Sequence, residues 1–153
     1  MKLTPTQMFD LPPFWLLACL VAAWAQSTYA PIPGLGADPL QLFAGLFIGA
    51  GVLLISLAVL EFRKAQTTIV PHQLPQQLIT SGIFKRSRNP IYLADLFLLA
   101  GFSLFWSSWL GLALVPLLAL ILQRRFIQAE EARLLVAFGP AFQAWSDTTR
   151  RWL

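Results

Sequence analysis

Three long apolar blocks dominate this chain and limit what it can fold into. They run over Phe14–Tyr29, Leu40–Leu60 and Ile91–Leu122, and Asp95 is the one charged residue inside them. Only 12% of the residues are charged, whereas a soluble domain usually has about 25%. A bilayer needs about 20 apolar residues for each helical span. The sequence therefore predicts an integral membrane protein rather than a soluble or a disordered one.

The third block is too long for one span, and the tetrapeptide Trp106-Ser107-Ser108-Trp109 is expected to divide it into a helical hairpin. The predicted fold is all-α, a single domain over 1–153 with four transmembrane helices at about 14–29, 40–60, 91–106 and 109–123. A loop over 61–89 and amphipathic helices over 124–153 are expected on one membrane surface. Within the second span, Gly45 and Gly49 form a G-x-x-x-G pattern that allows close helix packing.

The basic residues predict the orientation in the membrane. All 11 precede the first span, lie between the second and third, or follow the fourth. The positive-inside rule then places both termini in the cytoplasm. The small size of the chain suggests that the membrane is a bacterial inner membrane. The basic charge is a topology signal and an attraction to membrane lipids, so no nucleic acid partner is expected. The alternative for the first span is a signal peptide cleaved near Tyr29-Ala30, which leaves the remaining topology unchanged.

Polar residues cluster where the third span begins. Pro90 suits the first turn of a helix, so Arg88 and Asn89 are expected at a helix N-terminus, which favours an anion. Tyr92 and Asp95 lie three residues apart on one helical face. An ionisable residue inside an apolar span is a functional-site hypothesis. The alternative for Asp95 is an interfacial carboxylate that snorkels or pairs with an arginine.

A second polar cluster follows the fourth span. Glu130 and Glu131 are adjacent on a predicted helix and point about 100° apart, so only one of them can face a given pocket. The sequence leaves open which one does, and a solvated charged helix is the alternative. His72 is either an exposed loop residue or part of the pocket lining. One cysteine and one histidine argue against a metal site.

The segment from Thr67 to Leu153, more than half of the chain, carries three motifs in order. They read T-T-x-x-P, then L-I-T-S-G-I-F-x-x-S-R-N-P-I-Y, then R-F-I-x-x-E-E-x-x-L-x-x-x-F-G, with R-R-W-L at the end. Together they resemble the isoprenylcysteine carboxyl methyltransferase and phospholipid methyltransferase superfamily, in particular its small bacterial members. Asn89 stands where many members have histidine, and Phe142 and Trp145 stand where members usually carry tyrosines.

The resemblance implies S-adenosylmethionine as the methyl donor, S-adenosylhomocysteine as a product, and a cytoplasmic cofactor pocket capped by the loop and the amphipathic helices. It also implies a lipophilic acceptor, either an isoprenylcysteine carboxylate-like group or a lipid. A site for this cofactor needs basic groups for its carboxylate, carboxylates for its ribose or ammonium group, and apolar walls for its adenine. The cofactor-binding candidates are Gly82, Phe84, Arg88, Asn89, Pro90, Tyr92, Glu130, Glu131 and Leu134. The catalytic candidates are Arg88, Glu131 and Asp95, and the substrate-binding candidates are His72 and Arg125.

Two other functions fit a small four-span protein. A transporter needs an ionisable residue deep in a span to couple ions, and Asp95, near the cytoplasmic end, is the one candidate. A non-catalytic membrane scaffold of the same fold is the second alternative. Binding of the cofactor distinguishes the enzyme from both.

Overall fold

The computed structural model describes residues 11–34, 38–66 and 77–153, and the described residues contain no strand. The predicted all-α class is therefore confirmed. In chain order the elements are helices α1 (Pro12–Tyr29) and α2 (Asp38–Lys64), a 3₁₀ turn (Gly82–Lys85), helices α3 (Pro90–Phe105) and α4 (Trp109–Ile121), a π-helical segment (Leu122–Ile127), and helices α5 (Gln128–Phe138) and α6 (Pro140–Thr148).

Local sequence explains where several helices begin. A proline occupies the first turn of three of them, where its fixed φ suits a helix and its missing N–H costs nothing: Pro12, Pro90 and Pro140. Helix α4 begins instead after Ser108, whose Oγ accepts a hydrogen bond from the Gly111 N–H at 3.1 Å. The break between α3 and α4 thus falls at the tetrapeptide that the sequence analysis singles out.

Within the described residues, two helices are long and apolar enough to cross a membrane, Pro39–Lys64 and the continuous helix Trp109–Phe138. In the most apolar 18-residue stretch of each helix, only 17% and 28% is buried, respectively. The core helix of a soluble protein, in contrast, buries most of its apolar surface. Large apolar side chains remain exposed along three helices, namely Leu17, Val21, Leu42, Leu46, Leu53 and Leu117. Such faces require an apolar surrounding, which a bilayer supplies.

Helices α2 and α3 pack against each other at Gly101. A Cβ added at Gly101 would lie 2.7 Å from Ile48 Cγ1 and 3.0 Å from the Ala44 carbonyl oxygen. The G-x-x-x-G pair behaves differently, because a Cβ at Gly45 or Gly49 would have no atom within 4 Å among the described residues. A Cβ added at Gly51 of α2 would likewise lie 2.8 Å from Leu98 Cγ and 3.1 Å from the Ala94 carbonyl oxygen. The close approach of these helices therefore involves Gly101 and Gly51, and not the G-x-x-x-G pair of α2.

Polar contacts hold one end of the bundle together. Ser108 Oγ donates to Gln26 Oε1 at 2.7 Å, which joins the end of α1 to the start of α4. Gln41 Nε2 donates to the Leu104 carbonyl oxygen at 3.4 Å, which joins the start of α2 to the end of α3. The end of α2 and the start of α3 consequently lie at the other end of the bundle.

An apolar cluster organises that other end. Trp145 of α6 is buried and its Nε1 donates to the Phe84 carbonyl oxygen at 3.1 Å. The cluster joins the end of α2, the 3₁₀ turn and α6 through the buried residues Ala58, Ile79, Phe84, Phe142 and Trp145. It holds the 3₁₀ turn and the start of α3 beside the helices that follow α4, and this arrangement positions the site.

Candidate active site

A cavity of about 230 Å³ lies at this end of the bundle, bordered by the starts of α1 and α3, the end of α2 and α5. Its polar lining comes from Arg88, Asn89, Tyr92, Asp95 and Glu130. Its apolar lining comes from Pro12, Pro13, Phe62, Phe84, Pro90 and Ile91. The fold thus brings the Arg-Asn-Pro-x-Tyr motif and one residue of the Glu-Glu pair to one cavity.

Tyr92 and Glu130 join α3 to α5 at the cavity. The Tyr92 hydroxyl donates to Glu130 Oε2 at 3.1 Å. A hydrogen bond to an ionised carboxylate is stronger than a neutral one, so this contact orients the Glu130 side chain. Asp95 lies on the same helix as Tyr92 and is only 7% exposed. Two carboxylates therefore belong to the cavity wall.

Glu131 lies in an ion-pair network instead of the cavity lining. Arg151 Nε donates to Glu131 Oε1 at 3.1 Å, and Arg151 Nη2 donates to Oε2 at 2.6 Å. Arg88 Nη2 lies 3.5 Å from Oε1 of the same carboxylate. These hydrogen bonds from Arg151 raise the pKa of its guanidinium. Both Glu131 oxygens are thus engaged by arginines.

The π-helical segment explains which glutamate reaches the cavity. A π turn accommodates one more residue than an α turn, so it rotates everything after it by about 100° relative to a continuous α-helix. That angle equals the one that separates two adjacent side chains. The segment Leu122–Ile127 ends just before the Glu-Glu pair. It therefore decides whether Glu130 or Glu131 faces α3, and sequence spacing does not reveal it.

The carbonyl oxygens of Arg150 and Arg151 accept hydrogen bonds from the two residues that precede α3. The Arg88 N–H donates to the Arg150 carbonyl oxygen at 2.9 Å. Asn89 Nδ2 donates to the Arg151 carbonyl oxygen at 3.0 Å, and the Asn89 N–H donates to Ser87 Oγ at 3.1 Å. In contrast, Arg88 Nε is buried and has no hydrogen-bond partner in the part of the chain that the structure describes. The Arg88 side chain therefore retains a buried donor that could bind an anion.

Gly82 and Leu134 lie outside the cavity lining. Gly82 has φ +56°, and a Cβ there would lie 2.5 Å from Glu61 Cδ. Glu61 is buried and accepts hydrogen bonds from Ser81 Oγ and from Lys64 Nζ, the latter at 2.8 Å. Gly82 thus gives room to a side chain of α2. Leu134 packs against the apolar cluster at this end of the bundle.

The structure describes one of the two substrate-binding candidates. The Arg125 guanidinium lies 5.5 Å from the centroid of the Trp15 ring, in a cation–π contact between the π-helical segment and α1, and it is not among the cavity residues. His72 lies outside the described residues. The sequence analysis assigns no role to Phe62 or Arg151, although the R-R-W-L motif that contains Arg151 is part of the resemblance.

Comparisons with known proteins identify the family of this chain. No curated protein and no solved structure matches the chain. A family model described as phospholipid methyltransferase matches residues 40–141. The match extends from the start of α2 to the start of α6, and it includes most of the cavity. The resemblance to the isoprenylcysteine carboxyl methyltransferase and phospholipid methyltransferase superfamily is thereby confirmed. This chain belongs to the phospholipid methyltransferase family, a family of membrane methyltransferases.

Proposed function

We propose that this protein transfers a methyl group from S-adenosylmethionine to a lipophilic acceptor at the cytoplasmic face of a membrane, where the donor and the acceptor meet in the cavity between α3 and α5. The observation that carries the proposal is the convergence of Arg88, Asp95, Tyr92 and Glu130 on one cavity at the end of an apolar helical bundle.

The chemistry of the cavity fits this donor. Arg88 has an orphaned Nε–H, which suits the donor's carboxylate, since arginine binds carboxylates through several N–H groups. Glu130 suits the ribose hydroxyls or the ammonium group. Phe62 and Phe84 provide apolar walls for the adenine. The cavity lies below the range of about 300–1,000 Å³ that is common for ligand pockets, so we expect it to widen when the donor binds.

The order of residues along α3 separates the two ligands. Asp95 follows Pro90 by five residues, which places it about 7.5 Å further along the helix. Arg88, which precedes the helix, is therefore at the outer end of the cavity, and Asp95 is on the side of the membrane interior. We place the donor near Arg88 and Glu130, and the lipophilic acceptor near Asp95, which it reaches sideways from the bilayer.

The charges of the cavity favour an amine acceptor over a carboxylate. Two carboxylates and one arginine line it, and that arginine already has Glu131 at 3.5 Å. When bound, the donor would supply an electrophilic methyl group to the acceptor's lone pair, with its thioether sulfur as the leaving group. Asp95 accepts the proton that the amine loses. The cavity wall aligns the two ligands and excludes water from them.

The helix lengths agree with four spans. Helix α2 and the helix Trp109–Phe138 each exceed the length that a hydrocarbon core of about 30 Å requires. The second of these is about 45 Å long, so its last turns emerge from the membrane and carry Glu130 to the surface. Helices α1 and α3 are shorter, at about 27 and 24 Å, and local thinning of the bilayer accommodates such spans.

Calorimetry on the detergent-purified protein tests the donor site. We expect S-adenosylhomocysteine to bind with a micromolar dissociation constant, and Arg88→Gln and Glu130→Gln each to weaken binding by about tenfold or more, since each removes a charge-assisted hydrogen bond. Arg86→Gln is the matched control, because Arg86 is exposed and does not line the cavity. Absence of binding to the unsubstituted protein contradicts the enzyme proposal and leaves the transporter or the scaffold.

A product assay tests the acceptor. Membranes containing the protein are incubated with methyl-labelled donor, and the lipid extract is separated to identify labelled species. We expect a labelled amine, and Asp95→Asn is expected to abolish labelling while it retains binding of S-adenosylhomocysteine. Asp147→Asn, at an exposed position, is the control. A labelled methyl ester that forms equally well with Asp95→Asn refutes both the amine acceptor and the role of Asp95.

A further inference from the structure

Glu131 is in contact with two arginines, and they differ in geometry. Arg151 makes a two-pronged contact, with one hydrogen bond to each carboxylate oxygen at 3.1 and 2.6 Å. Arg88 makes a single longer contact, with Nη2 3.5 Å from Oε1. Arg88 also lines the cavity, whereas Arg151 does not. The carboxylate thus has a strong partner outside the cavity and a weak partner inside it.

We propose that Arg151 is a positioning residue for the methyl donor: by engaging both oxygens of Glu131, it keeps this carboxylate from forming a two-pronged pair with Arg88. Arginine and carboxylate prefer the two-pronged geometry when both oxygens are accessible. Without the Arg151 side chain, Glu131 draws the Arg88 guanidinium towards itself and neutralises it. This inference rests on the proposed role of Arg88 in binding the donor's carboxylate.

Arg88 and Glu131 are shielded from solvent, so the competition between Arg88 and Arg151 for Glu131 can affect donor binding. The side chains of Arg88 and Glu131 are 15% and 16% exposed, so their attraction is screened less than that of a surface pair. The segment that carries Arg151 is also held by contacts that do not use its side chain. The Arg150 and Arg151 carbonyl oxygens accept from the Arg88 N–H and from Asn89 Nδ2. A change of the Arg151 side chain therefore leaves this segment in place.

A set of variants separates positioning from general stabilisation. Arg151→Gln is expected to weaken binding of S-adenosylhomocysteine by about tenfold. Arg150→Gln, the matched control, removes the same charge from the neighbouring residue, whose Nη1 donates only weakly to the Leu153 carbonyl oxygen at 3.5 Å. It is expected to change binding by less than about twofold, within the range for an exposed charge.

The double variant Glu131→Gln with Arg151→Gln gives the sharper readout. Removing the competing carboxylate frees Arg88 again, so the double variant is expected to bind S-adenosylhomocysteine more tightly than Arg151→Gln alone, within about threefold of the unsubstituted protein. A merely structural salt bridge predicts no such recovery. Arg151→Lys, which retains the charge but not the two-pronged contact, is expected to bind with intermediate affinity, and it serves if Arg151→Gln does not fold.

A ligand without a carboxylate completes the test. Binding of 5′-methylthioadenosine is expected to be unchanged by Arg151→Gln, because Arg88 has no carboxylate to bind in that ligand. The inference is overturned by equal weakening of both ligands, by equal effects of the two arginine variants, or by a double variant no better than the single one. If the unsubstituted protein binds no S-adenosylhomocysteine, the proposed function itself fails. If the unsubstituted protein binds S-adenosylhomocysteine and the Arg151 variants bind it equally well, only this inference fails.

Discussion

Gly101→Ala perturbs the contact between α2 and α3, the two helices that contribute Phe62 and Asp95 to the cavity. The added Cβ would lie 2.7 Å from Ile48 Cγ1, 2.9 Å from the Ile48 nitrogen and 3.0 Å from the Ala44 carbonyl oxygen. Two of these three atoms are backbone, so a change of rotamer does not relieve the overlap. Helix α3 must instead move away from α2.

The magnitude follows from these distances. Ordinary contacts of a Cβ begin at 3.4 Å, so the required movement is 3.4 − 2.7 = 0.7 Å at Ile48 Cγ1 and 3.4 − 3.0 = 0.4 Å at the Ala44 carbonyl oxygen. Overpacking of this kind costs about 1–3 kcal/mol. Replacing a helical glycine with alanine stabilises a helix by about 0.5–1 kcal/mol. The two terms together give a net destabilisation of up to about 2.5 kcal/mol, and since the overlap involves backbone atoms we expect a value in the upper half of that range, together with weaker binding of S-adenosylhomocysteine.

Unfolding in mixed detergent micelles, followed by circular dichroism, measures the free energy of unfolding. Gly45→Ala and Gly49→Ala are the controls, because a Cβ at either position has no described atom within 4 Å. They are expected to leave the free energy of unfolding unchanged or to raise it by up to about 1 kcal/mol. The reasoning is refuted if Gly101→Ala unfolds like the unsubstituted protein, or if Gly49→Ala is the more destabilised variant.

Three further variants test individual contacts. Tyr92→Phe removes one donor to Glu130, and calorimetry is expected to show binding of S-adenosylhomocysteine about tenfold weaker; unchanged affinity argues against this hydrogen bond in the bound state. Gly82→Ala places a Cβ against Glu61 at a positive φ, so we expect thermal unfolding to show a loss of about 1–3 kcal/mol, and an unaltered transition excludes this packing. Ser108→Ala removes the cap of α4, and detergent unfolding is expected to show a loss of about 0.5–2 kcal/mol, whereas an equal midpoint contradicts the cap.

The fold could be predicted from sequence to the extent that local signals determine it. The prolines and serine at the helix starts, and the tetrapeptide that divides the third apolar block, mark boundaries that the structure also has. The G-x-x-x-G pattern does not identify the glycines of the contact between α2 and α3, because a packing glycine is recognised by what lies opposite it. A Cβ added at Gly101 would overlap α2, whereas a Cβ added at Gly45 or Gly49 would have no described atom within 4 Å.

The candidate site is also only partly predictable from the sequence. Arg88 and Tyr92 belong to one short motif at the start of α3, and both line the cavity. Gly82 and Leu134 belong to equally recognisable motifs, yet the structure places them against Glu61 and the apolar cluster. A motif identifies residues that belong together in the chain. It does not reveal which of them share a cavity, because that depends on the faces that helices turn towards one another.

The sequence by itself determined the all-α class, the preference for an apolar surrounding and the family, because composition, helix signals and ordered motifs are properties of the chain. The tertiary structure alone decided the contacts of the Glu-Glu pair. A π-helical segment rotates the helix that follows it, so that Glu130 reaches Tyr92 while Glu131 reaches Arg151. Residues 38 and 20 positions apart meet only when the bundle has packed, and no local pattern encodes that meeting.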